Sequence, residues 1–289
     1  MRSLLFLPAD SEKKLAKGFD TGADALIIDL EDSVAAERKP RAREMALAYL
    51  KEHSPRANRP RLVVRVNALD TGLTDADLDA VVAGKPDAIL LPKAEGGPSV
   101  IHLDAKLTAR EAMHGLPDGA IEIMALTTET AAGLFLCGTY AGTSKRLAAL
   151  TWGAEDLSAD LGSETNRDTA GRFTSPYMLA RNLSLAAAAA ARVTAIDTVY
   201  ADFRNMDGLR EESLEARRDG FTAKMAIHPA QVAVINGVFT PSPDEIAKAR
   251  AVMDAFAADP AAGVVAIGGV MYDRPHLKRA ERLLARVKQ

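Results

Sequence analysis

Cysteine is nearly missing from this chain. Its one cysteine, Cys137, cannot close an internal disulfide, so a stapled secreted scaffold is excluded and nothing points to an oxidising compartment. Aromatic residues make up only 5% of the 289, so the core must rest on Ala, Leu, Val and Ile. A surplus of one charge is lacking too. Lys and Arg number 36 against 39 Asp and Glu, a net charge of -3, without the basic excess of a typical nucleic-acid binder. Long apolar runs are absent. The opening Leu4-Leu5-Phe6-Leu7 meets Pro8 at once and is too short for a secretory leader. The uncharged stretch 182–191 falls short of the roughly 20 apolar residues of a membrane span. A cytoplasmic protein bound to neither membrane nor nucleic acid is the expectation. Disorder is excluded in turn, because 48% of the residues are hydrophobic and 26% charged.

What the sequence does hold is alternation. Short apolar, β-rich runs occupy 3–7, 25–30, 61–66, 88–91, 121–126, 147–152, 194–200 and 224–226. Most are continuous rather than alternating, as in strands buried on both faces of a parallel sheet. Helical stretches separate them at 11–21, 40–51, 75–83, 99–114, 129–137, 176–192, 208–219 and 229–235. Ser11 and Asp75 suit N-caps, and Pro40 and Pro176 suit a first helical turn. Eight such units predict an α/β fold of the (β/α)8 barrel type, which typically takes about 250 residues. An open doubly wound sheet is the alternative, but no Gly-rich dinucleotide fingerprint follows the first strand. The barrel is expected over 1–237 and a C-terminal extension over 238–289: a helix at 242–257, an extended pair around Gly268-Gly269, and a final helix at 274–288.

Barrel enzymes carry their chemistry at the C-terminal ends of the strands. Those ends read Asp29-Leu30-Glu31-Asp32, Arg65-Val66-Asn67, Pro92-Lys93, Thr127-Thr128-Glu129, Gly153-Ala154-Glu155-Asp156, Asp202-Phe203-Arg204 and Ile227-His228-Pro229. The strand starts look poorer in polar groups. Clustered carboxylates repel unless a cation joins them, and Mg²⁺ prefers such oxygens. Glu129 and Asp156 are the ligand pair this suggests. Zinc is disfavoured, since no Cys/His cluster has ligand spacing. Plainer readings stay open. Asp29, Glu31 and Asp32 also fit caps or ion pairs, and Arg65 fits their simple neutraliser. Glu129 fits a first-turn charge, Lys93 a solvated loop lysine and His228-Pro229 a helix start.

Five motifs in order then resemble the citrate lyase β-subunit-like proteins of the HpcH/HpaI aldolase superfamily. They are Gly22-Ala23-Asp24-Ala25-Leu26-Ile27-Ile28-Asp29-Leu30-Glu31-Asp32-Ser33-Val34, Arg65-Val66-Asn67, Leu91-Pro92-Lys93, Gly153-Ala154-Glu155-Asp156-Leu157 and Ala226-Ile227-His228-Pro229 with Gln231. The opening Arg2-Ser3-Leu4-Leu5-Phe6-Leu7-Pro8 looks like the family's first strand. In the strand-5 segment the family often has Ile-Glu-Thr-Ala; here it is Thr128-Glu129-Thr130-Ala131, which leaves the implied metal role intact and bears only on the fine shape of the substrate pocket.

The resemblance implies a barrel that uses Mg²⁺, or Mn²⁺ in its place, for reversible aldol-type C–C cleavage, commonly of CoA thioesters. It implies Glu129 and Asp156 as metal ligands and Arg65 as the group that stabilises an enolate oxygen. Asp29, Glu31 and Asp32 become the supporting carboxylates. Asp273, in Met271-Tyr272-Asp273-Arg274-Pro275, becomes a proton-transfer group lent to a neighbouring subunit, so a homo-oligomer built on trimers is expected. Asn67 joins Arg65 among the substrate-binding candidates, and the backbone around Glu155 and Leu157 is suited to a substrate carboxylate. Arg2, Lys14 and Lys39, with Arg38, are candidates for the CoA phosphates. Two alternatives remain: an aldolase on free hydroxy-keto acids, and a citrate lyase-type subunit that works only with partner chains.

Overall fold

The computed structural model describes residues 1–287, so the expected helix residue Lys288 lies outside the described residues. Eight strands close into one barrel in chain order: β1 (Ser3–Pro8), β2 (Ala25–Asp29), β3 (Arg61–Arg65), β4 (Ala88–Leu91), β5 (Glu122–Leu126), β6 (Leu147–Thr151), β7 (Thr194–Asp197) and β8 (Ala223–Ala226). Every neighbouring pair is parallel, and β8 pairs with β1 to complete the ring. The apolar runs are continuous because both faces are covered. β2 and β4 are buried at every residue. Alternate residues fill the interior, among them Leu4, Ile27, Val63, Leu90, Met124 and Met225. With so few aromatics the inner layers are aliphatic, as small barrels require.

Helices α1 (Glu12–Lys17), α2 (Lys39–His53), α3 (Thr74–Val81), α4 (Gly96–Met113), α5 (Ala131–Leu136), α6 (Glu155–Leu161), α7 (Ser175–Ala191), α8 (Met206–Asp219) and α9 (Pro229–Phe239) intervene. Several differ from the expected spans. The α4 helix starts before residue 99, where Gly97 packs so tightly that a Cβ would lie 2.5 Å from the Thr139 carbonyl oxygen. The short α6 was not expected at all; Gly162, at φ +65°, ends it after a few residues. Asp75 is not a cap, since α3 begins at Thr74, whose hydroxyl donates to the Asn67 and Ala68 carbonyls. Ser11 precedes α1 without a side-chain cap bond. Pro40 and Pro176 do sit in first turns.

The chain forms two compact units, Met1–Asn236 and the residues from Gly237 onward. The second unit holds α10 (Pro243–Ala258), the antiparallel hairpin of β9 (Val264–Ile267) and β10 (Val270–Asp273), and α11 (Arg274–Val287). A capping box between Ser242 and Glu245 starts α10. Gly268 and Gly269 both take positive φ, as a two-residue hairpin turn demands. Ala249, Val252, Phe256 and Ala280 form its small core. Among the described residues no helix is long and apolar enough to cross a membrane.

Candidate active site

The strand ends at the C-terminal rim surround a cavity of about 650 Å³. Asp29, Asp32, Arg65, Glu129, Glu155 and Asp156 line it, beside an apolar wall that includes Phe6, Leu126, Trp152, Val199 and Met225. His228 lines it as well and stacks on Phe203, with ring centroids 5.0 Å apart.

Strand register builds the first charged pair. Asp29 ends β2 and faces Arg65 at the end of β3. Two bonds of 2.7 Å, from Arg65 Nε and Nη2, grip the Asp29 carboxylate bidentately. Arg65 Nη1 lies 2.8 Å from Glu31, and the guanidinium sits 4.8 Å from the Phe6 ring centroid. Burial by itself would raise the Asp29 carboxyl, but the Arg65 bonds outweigh it and hold the group below the usual carboxylate range. Glu31 goes the other way: burial pushes it up, despite Arg65 and Lys93.

Glu129 is freed from the helix that follows it. Thr130 caps α5 by accepting from the Gly133 N–H, so Glu129 is the last residue before the cap and not a first-turn charge. Its side chain is 4% exposed. A Cβ at Gly153 would lie 2.9 Å from Glu129 Oε1, so the glycine after β6 makes the room this carboxylate needs. Burial first, then the nearby Asp156 and Glu31 carboxylates, raise its pKa. A buried carboxylate beside the half-buried, like-charged Asp156 suits an oxygen-preferring divalent cation that keeps open positions for water or substrate. Among the described residues no group of three or more His, Cys, Asp or Glu could hold a metal ion, so the two carboxylates would act without a third.

Lys93 is the residue the motifs undervalued. It is not a solvated loop lysine. Its ammonium lies 2.6 Å from Glu31, 3.2 Å from Asp156 and 3.6 Å from Asp32, and its amide donates to Glu129 Oε2 at 2.6 Å. Its φ of +49° is left-handed, a conformation that costs a non-glycine residue about 1 kcal/mol. Pairing with Glu31 more than offsets burial and raises its pKa. The preceding Pro92 hints at a sharp turn, but no local pattern announces contacts with three other strand ends.

Other candidates are not brought to the cavity. Arg2 precedes β1, at the opposite end of the barrel, where it binds Asp24 through Nε at 2.9 Å and Nη2 at 2.7 Å. Lys39 is spent on the Leu30 and Glu31 carbonyls and on Asn67 Oδ1. Asn67 is buried, and its amide nitrogen donates to Leu30 O and Asp77 Oδ2, so it locks two loops and does not line the cavity. The Leu157 side chain is wholly buried; only its backbone belongs to the first turn of α6. Arg38 pairs with Asp10. Lys14 does line the cavity, and so do Lys13 and Lys17, which the motifs did not single out. Asp273 ends β10 in the second unit and is bonded to the His276 imidazole.

Known proteins resemble this chain in sequence and fold. The family model for HpcH/HpaI aldolase/citrate lyase matches residues 2–229. Citrate lyase subunit beta of Escherichia coli (strain K12) is 34% identical, over 99% of this chain and 93% of that protein. A (3S)-malyl-CoA thioesterase of Cereibacter sphaeroides (strain KD131 / KCTC 12085) is 36% identical, over 99% and 94%. Protein CitE from Mycobacterium tuberculosis, solved in complex with magnesium, acetoacetate and coenzyme A, superposes with a TM-score of 0.78 at 33% identity, over 100% of this chain and 98% of that one.

Proposed function

The chain belongs to the HpcH/HpaI aldolase/citrate lyase family, and on that premise we propose that its barrel is a Mg²⁺-dependent carbon–carbon lyase. Its substrate would be a β-hydroxyacyl-CoA such as malyl-CoA, citramalyl-CoA or citryl-CoA, cleaved or formed through an acetyl-CoA enolate. One observation carries this reading: a single cavity presents the Arg65 guanidinium together with the Glu129 and Asp156 carboxylates. Magnesium and coenzyme A in the CitE complex support it.

In cleavage a base takes the β-hydroxyl proton, the Cα–Cβ bond breaks, a keto acid departs and its electron pair passes to the thioester enolate. Arg65 suits the enolate oxygen. Two of its five N–H donors bind Asp29, Nη1 lies 2.8 Å from Glu31, and the residue lines the cavity with donors to spare. Preorganised donors of this kind act where charge develops. Asp29 and Phe6 hold the guanidinium in place. Glu129 and Asp156 would hold the cation, which supplies polarisation of the hydroxyl and orientation of the acid. The N–H groups of Glu155 and Leu157, in the first turn of α6, suit the substrate carboxylate. Lys14 at the cavity mouth suits a CoA phosphate. Asp273, lent by a neighbouring copy in a trimer-based homo-oligomer, would protonate the enolate carbon.

The test is a panel of the three thioesters with purified protein and Mg²⁺, read by release of glyoxylate, pyruvate or oxaloacetate and repeated with chelator. Metal-dependent release supports the reading; no release from any thioester overturns it. The 34% identity to a citrate lyase subunit favours a second reading, a chain active only with partner subunits. Turnover that arises only on adding such partners would select it.

A further inference from the structure

Lys93 grips both of the carboxylates assigned to the cation, by different atoms. Its amide holds Glu129 Oε2 at 2.6 Å, and its ammonium sits 3.2 Å from Asp156 Oδ1. From the geometry we infer that Lys93 sets the affinity of the rim for its divalent cation, with the amide fixing one ligand while the ammonium competes for the other. This rests on the assignment of Glu129 and Asp156 as the cation's ligands.

The competition follows from charge and reach. Arg65 is committed to Asp29 and Glu31, so Lys93 is the cation nearest to Asp156. Its ammonium has other places to go. Glu31 is 2.6 Å away, and Asp32, with a side chain 59% exposed, is 3.6 Å away. A divalent cation that takes Asp156 therefore displaces the ammonium by a short swing toward the β2 carboxylates, without moving the backbone. The backbone cannot easily follow in any case. The left-handed turn at Lys93 is pinned by its amide on Glu129 and by the Ala94 N–H on the Leu126 carbonyl, 3.0 Å away. The arrangement separates two jobs within one residue. The amide job survives replacement of the side chain by any residue other than proline, and the ammonium job does not.

The design implied is a cation site held below its maximal affinity. Two carboxylates with no competing charge would bind more tightly and keep the cation with or without substrate. With Lys93 in competition, the substrate's own oxygens contribute a larger share of the binding.

The experiment is Mn²⁺ titration of metal-stripped protein followed by electron paramagnetic resonance, comparing wild type with Lys93→Met, Lys93→Arg and Glu129→Gln. Lys93→Met should bind Mn²⁺ about tenfold more tightly, as removal of one adjacent like charge implies. Lys93→Arg, which keeps the charge, should stay within about twofold of wild type by the same argument. A lysine that merely braced the cluster would give the opposite sign, with looser binding in Lys93→Met. Unchanged or weaker binding in Lys93→Met overturns the inference. Should Lys93→Met not fold, Lys93→Gln repeats the measurement with the same expected direction. The underlying assignment fails separately, if wild type binds no Mn²⁺ or Glu129→Gln binds it as well as wild type does.

Discussion

The two ends of the barrel carry charge in different ways. At the N-terminal end of the strands, acids and bases form closed sets. Arg2 meets Asp24, Arg59 meets Asp87, Arg61 meets Glu122, and Arg146 gathers Asp104, Glu111 and Asp118. The expectation that the strand starts are poor in polar groups was therefore wrong: they are charged, and the charges face one another. At the C-terminal end Arg65 and Lys93 are shared among Asp29, Glu31, Asp32 and Asp156, and Glu129 is buried among carboxylates. Charge closed upon itself stabilises a fold. Charge left unbalanced against a cavity is available to a ligand, and carries a stability cost that functional sites commonly bear.

This contrast can be broken at either end. The largest effect is expected for Arg65→Ala, because Arg65 both holds the buried Asp29 and lines the cavity. Loss of a preorganised oxyanion donor should lower kcat by about 10²–10³. Loss of its partner would leave Asp29 buried and uncompensated, at about 3–5 kcal/mol of stability. Steady-state kinetics on the folded fraction and thermal unfolding read the two separately, and full activity would remove Arg65 from the site. Next is Arg146→Ala at the other end. Glu111 is fully buried and also accepts from the Gly119 and Ile121 N–H groups, so removing its cation should again cost about 3–5 kcal/mol. Here kcat and KM of the folded protein should not move. A change in KM would mean that the closed rim talks to the open one.

The fold was legible because burial on both faces writes an unmistakable pattern. β2 and β4 read as apolar runs and are buried throughout. Boundaries were less legible where a polar side chain redirects the chain. The seventh run reads as extended to Tyr200, yet β7 ends at Asp197, whose carboxylate accepts from Trp152 Nε1 and Lys224 Nζ. Reading the polar residues at the strand ends singled out Arg65, Glu129 and Asp156, and the fold places all three around one cavity. Proximity in sequence separates neither Arg2 nor Lys39 from Lys14: Arg2 lies at the strand-start end with Asp24, and Lys39 is already bonded to the Leu30 and Glu31 carbonyls and Asn67. Lys93 was undervalued for a related reason. Its partners lie just beyond β2, β5 and β6, in loops and the first turn of α6, and only the closed barrel brings those ends together.

A smaller effect sharpens the contrast within the open rim. Lys14 is exposed and lines the cavity. If it meets a CoA phosphate, Lys14→Ala should raise KM for the thioester about tenfold, the scale of one hydrogen bond to a charged group, with kcat little changed. An unaltered KM would send the phosphates elsewhere, with Lys13 and Lys17 the next to test.

The smallest effect is expected at Arg2, and it decides between the two ends for one residue. Read along the chain, Arg2 and Lys14 flank the same strand and look equivalent as phosphate ligands. In the fold β1 separates them. Arg2 closes a pair with Asp24, a partly exposed contact of the kind worth at most about 1 kcal/mol. Arg2→Ala should therefore lower Tm by about 2–4 °C and leave KM for any CoA thioester where it was. The paired measurement matters more than either half. A fall in Tm with constant KM assigns Arg2 to the closed rim, whereas a raised KM would show that the CoA moiety reaches the end of the barrel where the charges already have partners.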